Sequence, residues 1–407
     1  MKNYIFLNTS IAGVGGAELY ISHKCEHLKH LGYDVYVFSF ERGNIAIKNL
    51  LQFEKFVLPE LKVPFRRSNA YIRRKILSVF CNLDLKGQII IESNIDNLNT
   101  WGEFIAKSIK AYHICYLLPE TNMVCTADIP FYKFKYVHHQ LFGILDSSIS
   151  KLFHDGKQYP STHLPAVGCN TGTVSEQSVL EIPELQHAEY TILSLGRLNK
   201  PYILPMLDGV KDFIQIHTDS RVNLLIVGGY LTPEVKDKIN VLKSCSNISV
   251  FMLGEQNPIP QNLFRESDVA IATAGSARVC SRQGLPTIII DANDLKGIGV
   301  YNYTTSNTIF RKNEPLIAVL QLLEEVLVKK LYPKTEPKHE ASEINYTYHD
   351  ALLNIPSSFD YYDVSYKPDC FLSGVIKFAI NLLGVSIYYK LIGYIKKLTN
   401  RFLYYYN

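Results

Sequence analysis

The sequence lacks a Cys-x-x-Cys pair; its eight cysteines are scattered over 407 residues, which excludes a zinc finger or ribbon and a disulfide-stapled scaffold. Cys81, Cys115 and Cys280 lie in apolar stretches and read as reduced, mostly buried thiols of a cytosolic protein. An excess of either charge is also missing. Lys and Arg number 42 against 38 Asp and Glu, a formal net charge of +4, too balanced for a chain whose affinity would rest on neutralising nucleic-acid phosphates. No apolar run reaches the roughly 20 residues that a membrane-spanning helix needs. The longest, near the C-terminus, is interrupted by Lys377, Asn381 and Lys390, and the first, Met1–Asn8, meets a glycine loop too early for a secretory signal.

What is present is core-forming material: 47% hydrophobic and 20% charged residues, the balance of a globular protein. A chain of 407 residues exceeds the roughly 250–300 at which one core stops growing, so two domains are expected. Both halves repeat an apolar run, a turn and a segment of helical period, the pattern of βαβ units and parallel sheets. The runs are Tyr4–Leu7, Val35–Phe38, Ile89–Ile91 and His113–Leu117 in one half. In the other they are Tyr190–Leu195, Val222–Val227, Ile248–Met252, Val269–Ala272 and Thr287–Ile290, with Ile203–Ile216 amphipathic between two of them. The polar, proline-bearing stretch 181–189 marks a boundary. We therefore expect Rossmann-like domains over 1–180 and 190–332 and a polar connection over 333–369, followed by a basic amphipathic helical extension over 370–407, in which no acidic residue occurs.

Four glycine-bearing turns stand where ligand phosphates meet such sheets. Gly15 and Gly16 lie between the first strand and a helix over Leu19–Leu31, where backbone N–H groups and the helix dipole favour an anion. Glu18 occupies the place of the third glycine of the dinucleotide fingerprint, which disfavours a nicotinamide enzyme. After the first strand of the second half, Gly196 is followed by Arg197 and Lys200, a fork and a point charge suited to a diphosphate. Gly228 and Gly229 end the next strand, and Gly275, Ser276 and Ala277 open a short helix that closes at Gln283-Gly284-Leu285-Pro286. Each turn also reads as a plain structural turn without a ligand.

The ordered set resembles the GT-B glycosyltransferases, in particular the family-4-type bacterial sugar transferases. Its carriers are Gly15-Gly16-Ala17-Glu18 with Leu31-Gly32-Tyr33-Asp34-Val35, then Leu195-Gly196-Arg197-Leu198-Asn199-Lys200, Ile226-Val227-Gly228-Gly229, and Ser267-Asp268-Val269 leading to Gly284-Leu285-Pro286-Thr287-Ile288. The resemblance covers most of residues 1 to about 330. It implies two Rossmann-like domains facing across a cleft, a nucleotide-sugar donor held mainly by the C-terminal one and an acceptor by the N-terminal one. Arg197 and Lys200 would then neutralise the leaving diphosphate, with Gly15 and Gly16 at its distal side and no metal or cofactor required. The family's glutamate pair is missing: the counted positions, Val279 and the stretch Ile271–Gly275, hold no acid. That absence keeps a second reading open, a non-catalytic GT-B-like subunit or scaffold of a glycan-assembly complex.

An inverting reaction would also need a base. Glu120 is the first candidate, then Asp96, His138 and His139. Lys62–Lys75 carries six cations and no acid; it reads as a contact for anionic lipid or a lipid-linked diphosphate, as a solvated helix start, or as a nucleic-acid contact, which the charge balance disfavours. With the 370–407 segment, which reads equally as a terminal helix packed on the body and as a membrane-surface anchor, it suggests a transferase on the inner face of the cytoplasmic membrane, adding sugar to a glycan or lipid-linked saccharide, as in capsule, exopolysaccharide or lipopolysaccharide synthesis.

Overall fold

The computed structural model describes residues 1–41, 43, 45–119, 128–145, 147–168, 173–177, 179–180, 188–338, 345–364, 378–380, 382–385, 387–388 and 390–391. The chain divides into two compact units, Met1–Ala12 with Tyr20–Val167 and Asn345–Asn407, and Gly13–Leu19 with Gly168–Ile344.

In the first unit the strands are β1 (Lys2–Asn8), β2 (Asp34–Ser39), β3 (Glu54–Val57), β4 (Gln88–Ser93), β5 (Tyr112–Leu117) and β6 (Leu141–Gly143). They form one sheet in the order β3-β2-β1-β4-β5-β6, parallel throughout. The helices are α1 (Gly16–His30), α2 (Ala70–Cys81), α3 (Asp96–Ile109), α4 (Ile129–Val137) and α5 (Ser148–Phe153). Strand β5 is buried at all its positions, as expected of a parallel strand covered on both faces. Helix α2 starts where it does because the Asn69 side chain accepts the Ile72 N–H at 2.8 Å, which satisfies one of the first-turn donors. Cys81, expected to be buried, ends α2 in an exposed position, whereas Cys115 and Cys280 are buried. The turn of helix that follows Phe80 simply carries it off the core-facing stripe Ile72, Ile76, Phe80.

The second unit has β7 (Val174–Ser175), β8 (Tyr190–Leu195), β9 (Val222–Val227), β10 (Ile248–Gly254), β11 (Ile259–Pro260), β12 (Val269–Ala272), β13 (Thr287–Ile290) and β14 (Gly297–Val300). Its main sheet runs β10-β9-β8-β12-β13-β14, with only β14 antiparallel to its neighbour. The helices are α6 (Ile203–Ile216), α7 (Pro233–Lys243), α8 (Asn262–Glu266), α9 (Ala274–Arg282) and α10 (Val319–Leu323). Thr232 caps α7 with Pro233 in its first turn, a pairing that presets the helical start.

The two units divide at Val167/Gly168, ahead of the stretch 181–189. The pairing of β7 with β11 and the two-way bonding of Leu180 with the Asn262 side chain hold Val174, Ser175 and Leu180 on the second unit. The stretch 333–369 is shared. Its first part runs along the second unit, and from Asn345 the chain belongs to the first. There α11 (Thr347–Ala351) and the following residues bond to first-unit groups: Tyr361 donates to the Ala111 carbonyl, the Tyr362 N–H to Glu103, and Gln88 to the Leu353 carbonyl. Where 370–407 is described it is helical, with Ile380 buried, Phe378, Leu382, Ile387 and Leu391 exposed, and Gly384 at φ 72°. Among the described residues no helix is long and apolar enough to cross a membrane.

Candidate active site

In an open α/β sheet the crevice opens beyond the C-terminal strand ends, where strand order reverses. In the second unit that point lies between β8 and β12. Gly196, at φ 148°, turns the chain out of β8, and Arg197 and Lys200 follow it half-buried. The turn is knitted to its neighbours: the Gly196 N–H bonds to the Val227 carbonyl at 3.0 Å, Leu198 N–H to Gly229 at 2.8 Å, and Gly228 N–H to Gly254 at 2.8 Å. A β-carbon at Gly228 would stand 1.9 Å from the Gly196 carbonyl oxygen, and one at Gly229 2.4 Å from Glu255 Oε1. Both glycines are therefore accounted for by close packing of backbone and side chain.

Across the switch, Thr273 leaves β12 and becomes the N-cap of α9. Its Oγ1 is buried and has no hydrogen-bond partner among the described residues, an orphan that costs free energy unless a ligand satisfies it. Ala274 sits at φ 52°, a conformation that costs a non-glycine residue about 1–3 kcal/mol. Its N–H is taken by the Thr308 carbonyl at 2.7 Å, while Gly275 and Ser276 occupy the first turn, whose N–H groups lack helical partners. Ser276 Oγ lies within 3.8 Å of where a β-carbon on Gly196 would be, so this turn and Arg197 belong to one crevice.

Residues 13–19 group with this unit. A β-carbon at Gly13, φ 79°, would meet the Tyr230 hydroxyl at 2.7 Å and Glu255 Oε1 at 3.3 Å, and one at Gly15 would meet Glu18 Oε2 at 2.5 Å. Gly16 is the first residue of α1. Burial pushes the Glu18 carboxyl up; its own backbone N–H and Arg197 pull it down, Glu255 pushes it up again, and the net direction is upward. The sequence reads Glu18 as standing in the place of a third glycine and as part of the motif that carries the resemblance; it gives no role to Tyr230, Glu255 or Thr273. Glu255 directly follows the strand-ending Gly254, a position that points to the crevice once sheet order is known.

The first unit has its own switch, between β1 and β4, with a buried polar cluster next to it. Glu92 accepts from Lys24 Nζ at 2.5 Å, Tyr4 at 2.6 Å, Tyr20 at 3.0 Å and Asn94 at 2.9 Å, with Lys24 and Glu92 both inaccessible to solvent. Burial pushes the carboxyl up, but Lys24 and these donors outweigh it and hold it below its ordinary value. His349 on α11 faces the same cluster, its Nε2–H donating to the Pro165 carbonyl at 2.8 Å and its Nδ1 3.5 Å from the Tyr20 hydroxyl. Deeper in the sheet, His113 joins Ser93 at 2.7 Å and Glu103 at 2.8 Å, while Lys135 donates to Glu103 at 2.7 Å. The Ser–His–Glu order matches a hydrolytic triad, yet all three are at most 1% exposed, so the cluster holds the fold and no substrate reaches it.

Burial first, and nearby Lys135 or Lys24 second, lower His113 and His349 to about 4. Their folded values lie below the ordinary 6.5, so the unfolded chain takes up protons first. The stability they contribute is complete above about pH 6.5 and is lost as pH falls toward 4, by at most about 3 kcal/mol for each histidine. Glu103, held at about 2 by Lys135 and His113 against its own burial, extends the loss below pH 4.5. Trp101, the sole tryptophan and buried in the first unit, reports this directly. Urea unfolding followed by its fluorescence is expected to shift to lower midpoint between pH 7 and 4, and His349→Gln to flatten that slope.

The base candidates fare differently. Glu120 lies outside the described residues. Asp96 opens α3 directly after β4, at the crevice end of the first sheet. His138 and His139 do not reach a crevice: they end α4 immediately before β6 begins, at the opposite edge of a parallel sheet, and His138 bonds the Phe134 carbonyl at 2.8 Å and stacks on its ring. Val279, counted as one glutamate position, is packed in the core, and Ile271 is buried in β12. Of the six cations in Lys62–Lys75, Lys62 pairs with Glu41, Arg66 with Asp128 and Lys75 with Glu60, and Arg73 lies over the Phe65 ring. Arg67, Arg74 and Tyr71 remain exposed.

Neither a protein-family model nor a curated protein sequence matches the chain. Solved structures do. A glycosyltransferase from Rickettsia africae matches at 13% identity and TM-score 0.53, over 96% of this chain and 98% of its own. WaaG, a glycosyltransferase involved in lipopolysaccharide biosynthesis, matches at 11% and 0.51, over 81% and 91%. A protein described as a UDP-N-acetylglucosamine 2-epimerase, from Listeria monocytogenes, matches at 13% and 0.51, over 86% and 94%. The fold of this chain is GT-B, with Rossmann-like units of mainly parallel sheet.

Proposed function

We propose that this GT-B chain is a glycosyltransferase that moves a sugar from a nucleotide-sugar donor to a glycan or lipid-linked saccharide in surface polysaccharide synthesis. One observation carries the reading: Arg197, the first turn of α9 and the orphaned Thr273 hydroxyl gather at the switch point of the second sheet. Cleaving a glycosyl–phosphate bond builds negative charge on the departing diphosphate. A guanidinium fork, Lys200 and the free N–H groups of the first turn of a helix beside that charge lower the barrier without reorganising. The neighbours' printed functions, glycosyl transfer and UDP-sugar epimerisation, support a nucleotide-sugar ligand. The exposed apolar residues Phe378, Leu382, Ile387 and Leu391, in a segment free of acid, support work at a lipid surface.

The test is a thermal-shift panel of UDP, GDP, ADP and CMP with their sugar conjugates, followed by product analysis with glycan acceptors. One nucleotide at 100 times its dissociation constant is expected to stabilise the protein by about 2.7 kcal/mol, and its sugar to appear on an acceptor. An epimerised sugar nucleotide with no transfer would overturn the reading, and the absence of any shift favours the non-catalytic subunit.

A further inference from the structure

The second half of α9 carries a feature that the donor site does not use. Arg278 and Arg282, one helical turn apart, line a cavity of about 210 Å³ together with Ser281, Tyr301, Asn302 and Lys338. Among the described residues that line it, three are cations and none is a carboxylate. Like charges at i and i+4 on a helix repel, and a concave wall focuses their field. The geometry of the wall is built. Thr335 N–H bonds to the Gly284 carbonyl at 2.9 Å and Lys338 N–H to that of Arg282 at 2.8 Å, which lays 335–338 along the end of α9. Gly284 permits this approach, since a β-carbon there would stand 1.8 Å from the Thr335 oxygen. The Asn302 amide donates to Ser281 Oγ at 3.0 Å, so the serine keeps its own O–H to donate.

We propose that this cavity is a second anion site of the protein, taking the phosphate group of a small phosphorylated polyol or sugar. The Arg278 guanidinium fork suits the planar pair of oxygens that phosphate offers, and Lys338 adds a point charge. Ser281, Asn302 and Tyr301 supply polar groups for hydroxyls beside the phosphate. The volume falls short of the roughly 300–1,000 Å³ of sites for drug-sized ligands, which selects a small body over a nucleoside. Its lining residues are distinct from Arg197, Lys200 and Thr273, which carry the glycosyl-transfer reading.

Calorimetry on the full chain with inorganic phosphate and glycerol 3-phosphate, with glycerol as the neutral control, tests it. Glycerol 3-phosphate is expected to bind saturably, more weakly as salt rises, and at least tenfold more weakly to Lys338→Glu and Arg278→Gln. Lys236→Glu, at an exposed position of α7, is expected to bind as wild type does. Vesicles of phosphatidylglycerol separate the sources of the phosphate: binding to them alone, lost in Lys338→Glu, keeps the site and makes its ligand a lipid headgroup. Loss in Arg197→Ala with retention in Lys338→Glu, or no Lys338-dependent binding of any probe, overturns the proposal.

Discussion

Replacing Lys24 by methionine is expected to destabilise the first unit by about 3–5 kcal/mol, the cost of stranding a buried charge. Among the described residues, Lys24 Nζ is the cation that pairs with Glu92, in a site with no access to solvent. Methionine fills much the same volume, so the loss measures charge rather than a cavity. The carboxylate would keep three neutral donors, Tyr4, Tyr20 and Asn94, which stabilise an anion less than an ammonium does. The double variant Lys24→Met/Glu92→Gln is expected to unfold later than Lys24→Met alone, because the stranded charge is gone. Trp101 fluorescence in a urea titration reads both. A loss below 1 kcal/mol for the single variant, or equal losses for the two, would show that the pair is not what holds this cluster together. Since His349 abuts Tyr20 in the same cluster, the single variant should also loosen α11, seen as faster amide exchange over 347–351.

That cluster also shows what a sequence conceals. Lys24 and Glu92 stand 68 residues apart, and only the adjacency of β1 and β4 brings them together. Strands Tyr190–Leu195 and Val222–Val227 were legible to the residue, because burial on both faces leaves a continuous apolar run bounded by polar turns. Helix Ile203–Ile216 was equally legible from its period. Strand β3, Glu-Lys-Phe-Val, and β14, Gly-Ile-Gly-Val, were not: edge strands carry charge or glycine, and their pairing depends on a neighbour that periodicity does not reveal. The same limit applies to residues 345–364. They are rich in tyrosine and read as part of a polar connection, yet Tyr361, Tyr362 and His349 tie them to groups 250, 259 and 184 residues away. In the crevice, Gly196, Arg197 and Lys200 were visible because a glycine after a buried run announces a strand end. Thr273 and Glu255 were invisible because their relevance comes from sheet order alone.

Arg197→Ala is expected to lower turnover by about 10²–10³, the range for removing one preorganised donor from developing charge. Because that charge grows as the glycosyl–phosphate bond breaks, kcat should fall at least as steeply as donor affinity. Arg197→Lys is expected to recover only part of the rate, since an ammonium cannot form the paired bonds of a guanidinium. Arg197 is half-buried, so its loss should leave the urea midpoint near that of wild type and separate chemistry from folding. Removing it also alters Glu18. Burial already pushes this carboxyl up while Arg197 opposes the rise, so without the guanidinium Glu18 takes its proton at higher pH. The residual rate of Arg197→Ala should therefore keep changing with pH over a range where wild type has levelled off, and Glu18→Gln in the same background should abolish that change. Unchanged turnover in Arg197→Ala, measured with a donor that shifts the melting temperature, would remove the guanidinium from the reaction and leave the crevice as a binding site only.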